Sequence, residues 1–92
     1  MGSSLNGGRI ERHIAEAARG NRNAWFELGI CYSSGSGVAV DLVEAHKWFN
    51  LAAMHGSGRA QECRSEIAGD MSAQQIASAQ KAARAWLRTT AV

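Results

Sequence analysis

Apolar residues in this chain recur at helical spacing and never alternate with period two over a useful length, which predicts an all-α protein. Ile10, Ile14, Ala17 and Ala18 mark one side of a first helix, from about Arg9 to Arg19, and Gly20 breaks it. A second helix runs from about Asn23 to Ser34. Trp25, Leu28, Gly29 and Tyr32 share one arc, and Phe26 and Ile30 form a second apolar edge at i, i+4. After the break SSGSGV, a third helix opens at Asp41 and stops before Gly56. Its wide face holds Leu42, Ala45, Trp48, Phe49, Ala52 and Ala53. Gly58 to Ala68 reads as a fourth, less apolar helix. A fifth runs to about Leu87, with Ile76, Ala79, Ala83, Trp86 and Leu87 on one face and Lys81, Arg84 and Arg88 opposite. Asp41 with Glu44, and Ser72 with Gln75, have the spacing of capping boxes.

A shift of 36 residues carries Gly20 onto Gly56, Ala24 onto Ala60 and Ala17 onto Ala53. The match fades where Leu28 meets Arg64 and Tyr32 meets Ala68. Such a period points to a stacked helical repeat. Its units are a half-repeat over 9–22, a full repeat over 23–58 and a degenerate closing repeat over 59–90, all in a single domain spanning 9–92.

Within this period lie Ala24, Leu28, Gly29, Tyr32, Gly35, Gly37, Val38, Asp41, Ala45, Trp48, Phe49, Ala52, Ala53, Gly56 and Ala60. At these offsets the segment resembles the Sel-1-like repeat family, relatives of the tetratricopeptide repeats. The resemblance covers about residues 24–60 and implies an antiparallel helix-pair α-solenoid of about two repeats and five helices. The second repeat departs from the pattern at Arg64, Ser65 and Ala68 and lacks the GxGV loop, as expected of a terminal cap. Terminal units of a solenoid need a polar outer face, which the Lys81, Arg84, Arg88 stripe supplies.

The same resemblance implies a concave face lined by the first helix of each pair. On the second helix that face falls at Asn23, Phe26, Ile30 and Ser33, and the fourth adds Arg59, Glu62 and Glu66. Phe26 and Ile30 would anchor a protein or peptide partner beside a charged rim, unless the first helix covers them. The expected function is a non-catalytic, protein- or peptide-binding adaptor or scaffold. The alternatives are a small regulatory or immunity-type inhibitor of one partner enzyme, and a homodimeric repeat segment of a larger scaffold.

Composition narrows the classes further. Ninety-two residues make one small domain, which buries about 65% of its unfolded surface. A net charge of +2 gives no case for nucleic acid or acidic lipid, and no apolar run is long enough for a membrane span. The stretch MGSSLNGG, residues 1–8, reads as a flexible tail without the apolar run of a secretory signal. Cys31 and Cys63 are too few for a disulfide framework and read as reduced thiols, Cys31 as a small core residue. These features point to the cytoplasm, and the resemblance to a bacterial source.

No catalytic residue, metal site or cofactor emerges. His46 and His55 fall on opposite sides of one helix, and His13 is distant in sequence. Glu62 and Glu66 at i, i+4 read as a solvated pair. Some members of the similar family are linked to cell-wall or lactam substrates, but the one S-x-x-K here, Ser78 to Lys81, has no accompanying S-D-N or K-T-G motif.

Overall fold

Alanine-rich segments separated by glycine and serine breaks form five helices in the computed structural model, which describes the backbone of residues 2–90 and the side chains of residues 9–89. They are α1 (Gly2–Ala18), α2 (Arg22–Ser34), α3 (Leu42–Met54), α4 (Gly58–Ala68) and α5 (Ala73–Thr90). No strand occurs among the described residues, so the fold is all-α.

The interior boundaries follow local chemistry. Asn21 caps α2, its Oδ1 accepting from the amides of Asn23 and Ala24 at 3.0 and 3.3 Å. Gly35 ends α2 in the left-handed region at φ 77°, a conformation that side chains resist. Before α5, the capping box forms in both directions, with Ser72 N donating to Gln75 Oε1 and Gln75 N to Ser72 Oγ.

At α3 only half of the expected box forms. Asp41 Oδ1 accepts from Glu44 N at 3.1 Å, but Glu44 does not reach back. Its carboxylate instead takes Trp48 Nε1 at 3.2 Å and pairs with Lys47 Nζ at 3.1 Å. The Asp41 amide donates to the Tyr32 carbonyl oxygen at 2.9 Å, tying the start of α3 to the end of α2.

α1 also differs from expectation, beginning at Gly2 rather than near Arg9. Gly2, Gly7 and Gly8 each disfavour a helix by about 1 kcal/mol against alanine but do not forbid one sterically. Met1, the first residue of the expected tail, lies outside the described residues, as do Ala91 and Val92 at the end of the expected domain. Ile10 and Ala17 are buried as expected of the apolar face of α1, whereas Ile14 and Ala18 are exposed.

α3 is the hub, packing against α2, α4 and α5, while α1 packs on α2. This explains why its buried residues exceed the expected face. His46 and Leu51 join Ala45, Trp48, Phe49 and Ala52 in the interior. Between α2 and α3 the approach is close at Gly29, where an added Cβ would stand 2.5 Å from the Phe49 ring. Trp25 Nε1 donates to the Ala17 carbonyl oxygen at 3.0 Å and joins α2 to α1. Trp48 meets Trp86 edge-on at 4.8 Å, holding α5 to α3. Arg64 Nη1 donates to Asn50 Oδ1 at 2.7 Å and orients α4.

Two interhelical turns share one bonding pattern. After α1, Arg19 N and Asn21 N donate to Glu16 O, and Gly20 N to Ala17 O. After α3, His55 N and Ser57 N donate to Ala52 O, and Gly56 N to Ala53 O. Gly20 and Gly56 both adopt positive φ, 87° and 100°. In both turns the residue after the glycine caps the next helix, Asn21 for α2 and Ser57 for α4.

Candidate functional site

The first turns of α2 and α4 and the last turn of α3 enclose a depression of about 320 Å³. Asn23 and Phe26 enter it from α2 and Arg59 from α4, so three of the seven expected site residues meet there. Phe26 is half-buried. One side of its ring meets Phe49 at 5.8 Å, and the Arg59 guanidinium lies over it at 4.9 Å. A cation over an aromatic face is held by the ring quadrupole, which fixes the guanidinium at the rim.

Glu62 and Glu66 are exposed along α4 and, with Arg59, border a second, more open depression of about 760 Å³. Arg59 therefore links the two. Ile30 and Ser33 line neither. Ile30 is half-buried against the core, and its carbonyl accepts from Ser33 Oγ at 3.1 Å and Ser34 Oγ at 2.7 Å. The Ser33 hydroxyl is thus engaged within its own helix.

Helical spacing alone missed Arg22, His55 and Ser57, which line the first depression together with Ala52 and Gly56. Ser57 caps α4 through Ala60 N at 3.1 Å. His55 Nδ1 lies 3.0 Å from the Leu51 carbonyl oxygen, so it carries hydrogen there, and its ring stands edge-on to Trp25 at 4.8 Å. The 36-residue period was the available signal for Ser57, since it places Ser57 at the position of Asn21.

Elsewhere the reactive groups are quiet. Cys31 is buried and Cys63 half-buried, and both are free thiols. Burial and Glu27 push the Cys31 thiol up, away from the thiolate that nucleophilic chemistry requires. Burial and Glu66 do the same to Cys63. Among the described residues no group of three His, Cys, Asp or Glu side chains is placed to hold a metal ion.

His46 is 3% exposed, and its Nδ1 has no hydrogen-bond partner among the described residues. Burial, then the nearby Arg64, lowers its pKa below the ordinary 6.5. The folded state therefore binds a proton on His46 less readily than the unfolded chain does. Its contribution to stability is complete above 6.5 and is lost as pH falls below that value. Melting curves between about pH 7.5 and pH 5.5, above the carboxylate range, should fall more steeply for the wild type than for His46→Leu. The difference is limited to about 1.4 kcal/mol per pH unit, the value for one proton. At neutral pH the leucine variant should lose little, because it removes an unpaired buried nitrogen. Parallel pH profiles would show that His46 takes up its proton equally well folded and unfolded.

No protein-family model matches the chain, and no curated protein matches it.

Proposed function

We propose that the protein is a non-catalytic binding module, built as a short antiparallel helix-pair solenoid of the Sel-1-like kind, that docks a protein or peptide segment across α2 and α4. The observation that carries this reading is the convergence of Asn23, Phe26 and Arg59 on one depression, with a half-buried aromatic ring in its lining. An aromatic anchor ringed by polar groups is the usual form of a binding hot spot. The repeat reading draws support from the matching turns at Gly20 and Gly56 and from the packing of α2 and α4 on α3. Glu62 and Glu66 extend the surface along α4 and contribute selectivity through charge.

Paired affinity capture tests the reading, using wild type, Phe26→Glu and Lys81→Glu as baits, with folding checked by circular dichroism and mass by light scattering. A partner retained by wild type and Lys81→Glu but lost by Phe26→Glu is the expected result. A wild-type dimer that Phe26→Glu converts to a folded monomer, with no partner distinguishing the baits, would replace docking with self-association. Because Phe26 touches Phe49, Glu62→Lys serves as a second variant at an exposed position. It should weaken capture without affecting the fold.

A further inference from the structure

The depression between α2 and α4 has an unbalanced charge. Arg22 and Arg59 both border it, and no acidic side chain does. Among the described residues neither guanidinium has a carboxylate within ion-pair distance; the pairs present are His13 with Glu16 and Lys47 with Glu44. Exposed arginines that share a concave site without a counter-ion concentrate positive potential there. Arg59 is held in place by the Phe26 ring, so less of its rotamer freedom remains to be lost on binding. The depression also lies at the starts of α2 and α4, whose positive ends add to the same field.

We propose that this depression is an oxyanion subsite, and that it receives the side-chain carboxylate of an acidic residue in the docked segment. The proposal rests on the docking reading above and assigns the chemistry of one end of it. Arg22 and Arg59 bind the carboxylate by charge-assisted hydrogen bonds, for which a guanidinium offers paired donors. Phe26 carries the apolar side chain next to it in the segment. Glu62 and Glu66 lie farther along α4. Helical rise puts Glu66 about 10 Å from Arg59 along α4, so it repels a second acid about three extended residues away and favours a base. The preferred segment is therefore acidic at the Arg22 and Arg59 end, apolar over Phe26, and neutral or basic beyond.

Two synthetic peptides test this, N-acetyl-Gly-Leu-Asp-Asp-Leu-Gly-amide and its Asn-Asn counterpart, each titrated into the full chain and followed through backbone amide signals in NMR. The acidic peptide should bind about tenfold more tightly than the amide peptide. It should shift the signals of Arg22, Asn23 and Arg59. Arg22→Gln and Arg59→Gln should each narrow that preference, and the double variant should abolish it, whereas Lys81→Gln should retain it. At about 1 M salt, where the screening length falls to about 3 Å, the preference should vanish. Equal binding of the two peptides, no binding of either, or an acid preference that survives in the double variant overturns the proposal. Inorganic phosphate that shifts the same signals and displaces the acidic peptide at lower concentration overturns the assignment to a carboxylate. If Phe26→Glu loses a captured partner but the double arginine variant keeps it, the subsite falls while the docking reading stands.

Discussion

Trp25→Ala is expected to cost about 3–5 kcal/mol of folding stability, out of the roughly 5–15 kcal/mol typical of a domain. Trp25 is 2% exposed and ranks among the largest fully enclosed side chains. Its ring stands against His55, and its Nε1 holds the Ala17 carbonyl. Truncation removes the packing that keeps α1 on α2, the helix against which α1 packs. Hydrogen exchange in α1 should therefore rise before that of α3, because local opening follows loss of local contacts. Trp25→Phe separates the two contributions. The Ala17 carbonyl still accepts from Gly20 N at 3.0 Å, so losing the indole bond costs only about 0.5–1.5 kcal/mol. Urea unfolding of the three proteins measures both. A loss below about 1 kcal/mol in Trp25→Ala would mean that α1 is not seated as described.

Where sequence and structure agree, the determining chemistry is local. Ser72 supplies a cap within three residues of the amide it binds, so the start of α5 was legible from one-dimensional spacing; Asn21 and Ser57 act over the same short range but were not read as caps. Gly29 was legible as a small residue on the apolar arc of α2, and the structure shows that it is where α3 comes close. The burial of α3 was less so. A single helix shows one apolar stripe, whereas His46 and Leu51 are buried by other helices packing around the hub. Glu44 was read as a capping residue, but the Trp48 indole and the Lys47 ammonium compete for its carboxylate. In the candidate site, Asn23, Phe26 and Arg59 followed from repeating positions on α2 and α4. Arg22 and His55 did not, because they reach the depression from helix ends, where the turn determines direction.

Gly29→Ala should destabilise the protein by about 1–3 kcal/mol, opposite in sign to its usual effect. At an unconstrained position inside a helix, alanine is favoured over glycine by about 1 kcal/mol. Here the new Cβ would lie 2.5 Å from two carbons of the Phe49 ring, nearer than real Cβ contacts come. Phe49 is 1% exposed, and its ring also meets Phe26, so it has little room to yield. α2 and α3 must then separate, which opens the main contact of the core. Gly29→Val adds two methyl groups to the same clash and should cost more, about 3 kcal/mol or above. A double variant identifies the cause. If the ring is the obstacle, Gly29→Ala should cost less in a Phe49→Leu background, with a coupling of about 1 kcal/mol or more. Additive losses would place the strain elsewhere in α2. A Gly29→Ala protein more stable than wild type would mean that the helices stand farther apart than the 2.5 Å approach requires.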